Sequence, residues 1–275
     1  MRVCTLILLA GITGGVHAQW LNNREPGIPR TKDGKANLSA PAPRGPDGKV
    51  DLSGVWQAEG ATKKDLVKLM PPDGVNGLGE DDPPLAFFNV LADFKPEEIP
   101  MRPEVAAEYQ KVAAVALTAP PPALCVPPPT PFVDAFSAPF KIVQTPKLVL
   151  VLYESDTFFR QIFTDGRKHP DDPQPSWLGY STGKREGESL VVETVGLKEA
   201  PLDVFLHPHS EALRVTERFH RRDFGHMDLQ ITIDDPKTYT KPFTYKINLL
   251  LRPDTDLLES FCIENETDLA HMKKH

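Results

Sequence analysis

The feature of this sequence that most constrains its fold is a series of short segments in which apolar and polar residues alternate. In the clearest of them, His226–Asp234, every second residue from Met227 to Ile233 is apolar. Successive side chains of a β-strand point to opposite faces, so this pattern predicts a strand that buries one face and exposes the other. After Phe140 almost no segment has the spacing of a helix. The sequence therefore predicts an all-β, mainly antiparallel fold.

Ten segments are predicted as strands, each bounded by residues that favour turns. They are a strand at Trp56 and the segments Lys141–Thr145, Leu148–Glu154, Phe158–Thr164, Trp177–Lys184, Ser189–Val195, Leu213–Arg221, His226–Asp234, Phe243–Leu251 and Leu257–Ile263. That number is enough to close a barrel of about eight to ten strands, whose interior is the expected place for a ligand.

Two segments have helical patterns, which predicts one or two peripheral helices. A helix is predicted at Pro103–Leu117, because proline suits the first position and apolar residues recur on one face. A shorter helix is predicted at Thr62–Met70. We expect one barrel domain over residues 51–275 with a Pro-rich, partly helical insertion at about 60–139, preceded by an extended or disordered leader over residues 19–50.

Residues 1–18 have the pattern of a signal peptide. Arg2 is followed by the apolar stretch Val3–Gly15, which is too short to span a bilayer comfortably, and Val16 and Ala18 are small residues suited to cleavage before Gln19. The pattern predicts a periplasmic or secreted protein with no integral membrane segment after cleavage.

Charge and cysteine content agree with this location. A formal net charge of −7 without a long basic cluster argues against nucleic acid as a partner. Cys4 lies in the predicted signal peptide, which leaves Cys125 and Cys262 to form a disulfide in an oxidising compartment. The alternative is two unrelated buried thiols.

Three charged residues interrupt apolar faces of predicted strands. Arg160, Glu193 and Glu217 each stand between apolar residues two positions away. A charge inside a barrel is costly unless it is paired or contacts a polar ligand. These residues are therefore candidates for an internal ion pair or for ligand binding, unless the assigned inner face is really the outer one. Trp177 and Tyr180 are further candidates for the same cavity, although core packing would explain them equally well.

His207 and His209 lie two positions apart and would share a side of an extended segment. They are weak candidates for part of a metal site, and His209 is a candidate acid/base, although a solvated loop is the simpler interpretation. No characteristic third ligand and no specific catalytic motif accompany them, so neither a metal nor another cofactor is predicted.

Two resemblances are carried by short segments. Ser53–Trp56 resembles the Gly-x-Trp start of the first barrel strand in lipocalins and calycin-like proteins, which implies a similar barrel. Residues 51–265 are also similar to an uncharacterised family of secreted bacterial proteins, for which no activity is implied. Arg185 departs from that pattern, in which Trp is expected before Glu186. The matching segments are Phe140–Pro146, His169–Asp172, Trp177–Ser181, His207–Glu211 and Leu213–Arg218.

The sequence favours an exported protein that binds a small molecule in its barrel, a largely apolar ligand whose polar or anionic group contacts Arg160. One alternative is a periplasmic enzyme on the same barrel, with Glu217 or His209 as acid/base. Another is a structural or assembly accessory protein, because barrels serve many roles. Ligand identity and oligomeric state are left open by the sequence.

Overall fold

A computed structural model of the chain describes residues 24–60, 89–116, 127–136 and 138–262, and within them nine strands close into a barrel. In order around the barrel, these strands are β1 (Gly54–Ala58), β11 (Phe243–Leu251), β10 (His226–Asp234), β9 (Arg214–Arg221), β6 (Ser189–Val195), β5 (Tyr180–Glu186), β4 (Phe159–Phe163), β3 (Leu148–Tyr153) and β2 (Phe140–Gln144). Two further short strands, β7 (Ala200–Pro201) and β8 (Pro208–His209), pair outside the barrel. The predicted all-β barrel, mainly antiparallel and with few peripheral helices, is confirmed.

The odd number of strands forces one parallel junction. Strand directions cannot alternate all the way round a closed ring of nine, and the junction between β4 and β5 is the parallel one. Parallel neighbours need a long connection, which residues 164–179 provide. Only two residue pairs, Ile162 with Ser181 and Phe163 with Thr182, join these strands, whereas eight pairs join β9 to β10. The barrel is therefore least continuous at this parallel seam.

The inner face of the barrel is filled by the apolar residues that alternation placed there. On β10, Met227, Leu229, Ile231 and Ile233 are all fully buried, while the residues between them are more exposed. The same two-residue rhythm buries alternate residues along β9 and β11. The core consequently lies inside the barrel and not between separate layers.

One end of the barrel, which we call the Trp56 end, is covered by the chain that leads into β1. Arg221 donates hydrogen bonds to the backbone oxygens of Asp51 and Ser53 and packs over the Trp56 ring at 4.8 Å. Gly54 has a φ of +137°, and a Cβ there would lie 2.6 Å from Leu251 Cδ1. The glycine of the Gly-x-Trp segment is thus required by the backbone and by close packing.

The chain before β1 packs on the barrel without forming a regular strand. Isolated bridges join Arg30 to Ala36 and Arg44 to Val50. Ala40 and Val50 are buried, and the backbone N–H of Gly225 donates to the backbone oxygen of Leu38. The described part of this segment is therefore a chain of turns that contacts the barrel.

Helices cover the other end. Helix α1 (Pro103–Ala116) confirms the helix predicted at Pro103–Leu117, and Leu117 itself lies outside the described residues. Helix α2 (Phe132–Ala135) is a single buried turn that the sequence analysis did not predict. The predicted helix Thr62–Met70 also lies outside the described residues. No helix in the described ranges combines the length and the apolar character needed to cross a bilayer.

The strand predicted at Leu257–Ile263 is wrong, because residues 257–261 form no strand. Every strand edge in a closed barrel already has a neighbour, and β11 lies between β10 and β1. The segment is held by side chains instead, since Glu154 and Asp156 accept hydrogen bonds from the backbone N–H groups of Leu258 and Cys262.

Candidate functional site

The centre of the barrel holds a buried ion pair between Arg160 of β4 and Glu217 of β9. Both residues face inward, and their side chains are 1% and 0% exposed. Two hydrogen bonds join them, one from Nη1 to Oε1 at 3.0 Å and a second from Nη2 to Oε2. Burial alone lowers the pKa of Arg160, but the adjacent Glu217 carboxylate raises it above its ordinary value, so the guanidinium stays charged.

The other hydrogen bonds of Arg160 link it to three more elements. Nε donates to Ser181 Oγ of β5 at 3.0 Å, Nη2 donates to Thr194 Oγ1 of β6 at 2.7 Å, and Nη1 donates to Asp134 Oδ2 of α2 at 3.3 Å. Together with the two bonds to Glu217, these contacts use all five N–H donors of a guanidinium. Arg160 therefore has no donor left for a ligand.

Asp134 adds a second carboxylate to this cluster. Its Oδ1 accepts a hydrogen bond from the Tyr153 hydroxyl at 2.7 Å. Burial and repulsion from Glu217 raise the pKa of Asp134 to about 7, although Arg160 and Tyr153 oppose the rise. Two carboxylates thus share one guanidinium, and the raised pKa leads us to expect that Asp134 holds a proton at higher pH than an ordinary aspartate does.

The predicted internal ion pair of Arg160 with Glu193 or Glu217 is confirmed for Glu217, whereas the inward placement of Glu193 is wrong. Glu193 lies on the outer face of β6, 43% exposed, with Oε2 3.3 Å from Nη1 of Arg214. The error arose because Leu190, Val191 and Val192 are all buried, so β6 does not alternate at its start.

Sequence reasoning missed three members of the cluster. Ser181 and Thr194 are small polar residues on inward faces, and extending the alternation from Leu190 and Val192 would have indicated Thr194. Asp134 had no such signal, because it is carried by one helical turn in a proline-rich stretch.

A pocket of about 380 Å³ opens beside this cluster, where β4 and β5 diverge, and we call it the seam pocket. The seam pocket is lined by Trp177 and Tyr180, two of the predicted ligand-binding residues, together with Arg160. Phe159, which also lines it, is 59% exposed, an unusual exposure for so large an apolar side chain. The remaining lining residues are Pro127, Phe158, Gln161, Phe163, Ser176, Leu178, Gly179 and Ser181.

The edge of the seam pocket is aromatic and close to neutral in charge. The Phe163 and Tyr180 rings lie 5.3 Å apart between centroids, and the Arg167 guanidinium lies 3.8 Å from the centroid of Phe163. Arg167 is paired with Asp165 at 2.6 Å, which balances its charge. The arrangement suits an apolar or aromatic molecule.

The two candidate histidines lie in a separate, mostly buried corner. His207 Nδ1 is 2.6 Å from Asp203 Oδ2, and His209 Nδ1 is 3.0 Å from the backbone oxygen of Ser210. Burial lowers the pKa of His209. The described residues contain no group of three or more His, Cys, Asp or Glu placed to hold a metal ion.

The cysteine prediction is only partly within the described residues. Cys262 lies at the end of the described chain, and Cys125 lies outside it. The Cys125–Cys262 disulfide stays a prediction.

A comparison with protein-family models found no match, and a search of curated proteins found no significant relative. The closed barrel, with Trp56 in its first strand, is consistent with the lipocalin-like architecture. Neither resemblance is confirmed as family membership.

Replacing the central arginine tests whether the cluster stabilises the fold. Arg160→Met should lower the free energy of unfolding by about 3–5 kcal/mol, because it leaves buried carboxylates without their cation. Adding Glu217→Gln should recover much of that loss. Chemical denaturation of Arg160→Met, Glu217→Gln and the double variant measures the coupling free energy between the two residues.

The matched control is Arg214→Met, which breaks the exposed pair with Glu193 and should change stability little. Equal stability of the wild type and Arg160→Met would contradict the structural role of the cluster.

The raised pKa of Asp134 predicts a pH-dependent stability. Because the folded-state pKa exceeds that of the unfolded chain, the folded protein retains a proton that the unfolded protein releases, and stability falls as pH rises towards about 7. Asp134→Asn should therefore gain stability relative to the wild type between about pH 5 and 7, by up to about 1.4 kcal/mol per pH unit.

Denaturation curves at several pH values measure this difference, with Asp165→Asn as the control. The hydrogen bond from Arg167 lowers the pKa of Asp165. The effect of Asp165→Asn on stability should therefore lie at more acidic pH and have the opposite sign. Parallel curves for the wild type and Asp134→Asn across pH 5–8 would show that Asp134 does not titrate there.

Proposed function

We propose that this protein binds a small, mainly apolar molecule in the seam pocket. The observation that carries the proposal is an aromatic-lined opening at the least continuous junction of the barrel, directly beside its buried polar cluster. A volume of about 380 Å³ lies within the ordinary range for small-molecule sites. Exposure of Phe159 next to this opening is explained if a ligand covers its ring.

The polar chemistry of the pocket favours a neutral hydrogen-bonding group over an anion. All five donors of Arg160 are used within the protein, and two carboxylates lie around it. Ser181 also lines the pocket, and its hydroxyl already contacts Arg160 and Thr194, which leaves one of its three hydrogen-bonding positions for a ligand. A ligand with a hydroxyl or carbonyl group would use that position without placing a negative charge beside Glu217.

The arrangement of the candidate acid/base residues does not favour an enzyme. Glu217 is fully buried and held by Arg160, while His209 Nδ1 lies 3.0 Å from the backbone oxygen of Ser210 in another part of the structure. The binding function is therefore the one that we propose.

Export forms part of this proposal. Cleavage after Ala18 and a Cys125–Cys262 disulfide would suit a protein that meets its ligand outside the cytoplasm. Intact-mass measurement of exported protein should give a chain that begins at Gln19 and contains no free thiol. A retained leader would contradict export by this route, and two titratable thiols in oxidised material would contradict the bridge.

Ligand binding can be tested with the neutral aromatic probe N-phenyl-1-naphthylamine, whose fluorescence rises in apolar surroundings. Phe159→Ser and Trp177→Ala should each weaken its binding about tenfold, equivalent to about 1.4 kcal/mol. At the seam pocket, the sulfonated probe 1-anilinonaphthalene-8-sulfonate should bind no more tightly than the neutral one, because the Arg160 donors are occupied.

Val112→Ser is the matched control, since Val112 is an exposed apolar residue on α1 that does not line the pocket. Native mass spectrometry of gently purified protein should also detect a bound small molecule that the two pocket variants lose. Absence of both probe binding and a co-purified molecule would overturn the proposal and favour a structural or assembly role.

A further inference from the structure

We infer that the barrel has a second binding site, at the Trp56 end, which takes an amphiphilic carboxylate with its charged group on Arg185 and its apolar chain over Val149 and Leu190. This site shares no lining residue with the seam pocket, so it stands apart from the function proposed above.

Arg185 lies where one barrel strand extends past its neighbour. The β4 strand ends at Phe163, which pairs with Thr182, while β5 continues to Glu186. Residues of β5 beyond Thr182 therefore have no β4 partner. Arg185 lies four residues after Ser181, and residues an even number of positions apart share a face of a strand. Arg185 therefore belongs to the inward-facing row of β5. Its side chain reaches across the gap that the shorter strand leaves.

The guanidinium of Arg185 is only partly satisfied. Nη2 donates to the backbone oxygen of Val50 at 2.9 Å and to Gln144 Oε1 at 2.7 Å. Nη1 is buried and has no hydrogen-bond partner among the described residues. A buried charged donor without an acceptor is unfavourable, and native structures usually supply one. An acceptor from a ligand would satisfy it.

The acidic residues nearby do not fill that role. Asp47 accepts from the backbone N–H of Lys49 at 3.1 Å, and Asp51 accepts from that of Ser53 at 2.9 Å. Neither carboxylate is hydrogen-bonded to Arg185. Burial lowers the pKa of Arg185 despite the raising effect of Asp47 and Asp51, which agrees with a guanidinium that lacks a close counter-ion.

The space around Arg185 has the shape of a small-molecule site. It encloses about 560 Å³, with Val149 and Leu190 as buried apolar residues and with Lys49 and Lys184 also in its lining. Gly183 lets the pocket wall pack closely, because a Cβ there would lie 3.0 Å from Ile162 Cγ2 and 3.3 Å from Leu190 Cδ1.

The ligand class follows from these surroundings. A carboxylate matches the planar donor geometry of a guanidinium and can accept two hydrogen bonds from it. Lys49 and Lys184 also line the pocket with Asp47 and Asp51, but Lys49 is paired with Asp47 and Lys184 with Glu186. Arg185 is therefore the lining cation that has no carboxylate partner among the described residues, while Val149 and Leu190 form the apolar wall of the pocket. An alkyl carboxylate combines both parts in one molecule.

Isothermal titration with octanoate and with 1-octanol tests the inference, because the two probes differ in charge and share a chain. Wild-type protein should bind octanoate about tenfold more tightly than 1-octanol, as expected for a charge-assisted contact. Arg185→Met should remove that preference. The control Arg218→Met, on a partly exposed arginine paired with Glu186, should leave it unchanged.

Arg185→Met also removes the hydrogen bonds to Val50 and Gln144, which could change the local structure. A second variant that keeps Arg185 therefore tests the site without this loss. Gly183→Ala should displace Leu190, which lines the pocket, and so weaken octanoate binding with Arg185 intact. If the proposed function holds, both variants should still bind N-phenyl-1-naphthylamine at the seam pocket. The two probes therefore test the two proposed sites separately. Octanoate binding that is absent from the wild type, or equal in the wild type and Arg185→Met, would overturn the inference.

Discussion

The guanidinium of Arg160 spans the place where the backbone ladder of this barrel is weakest. Two residue pairs join β4 to β5, and Arg160 on β4 adds side-chain bonds to Ser181 on β5, to Thr194 on β6 and to Glu217 on β9. Its contact with Asp134 also holds helix α2 against the barrel. A single side chain therefore connects β4 with β5, β6, β9 and α2 across the barrel junction that has the fewest backbone pairs.

Burying these charges costs desolvation free energy, which their mutual attraction offsets only when the geometry is good. Here every donor of the guanidinium has an acceptor, so the cost is matched by hydrogen bonds as well as by charge pairing. The second carboxylate leaves a surplus of negative charge, and burial together with the repulsion from Glu217 raises the pKa of Asp134. Protonation of Asp134 relieves the surplus.

Both pockets follow from the same topological fact. A ring of nine strands needs one parallel junction, and the strands that meet there are offset along their axes. Where β5 begins late, β4 is left without a neighbour and the seam pocket opens beside Arg160. Where β5 extends past the end of β4, the second pocket opens beside Arg185. The inward row of β5, Ser181, Gly183 and Arg185, connects the two.

The alternation along β10 predicted its bounds and its buried face correctly, because a two-residue period is a direct consequence of strand geometry. The same rule placed Arg160 and Glu217 inside, since a charge in an apolar row is visible in the sequence. It failed for Glu193, where both faces of β6 are buried at the start of the strand, and for residues 257–261, because the closed barrel offers no free edge. The alternation within a single segment shows neither the burial of both faces nor the closure of the barrel.

The sequence by itself determined the nine strand segments of the barrel, the barrel class, helix α1 and the charged pair inside. Tertiary structure decided which junction is parallel, that Asp134 joins the ion pair from a distant helical turn, and that Arg185 reaches over a gap. The division has a physical reason. Side-chain alternation is a local property of each strand, whereas strand order, offset and the partners of a buried charge depend on which segments meet when the barrel closes.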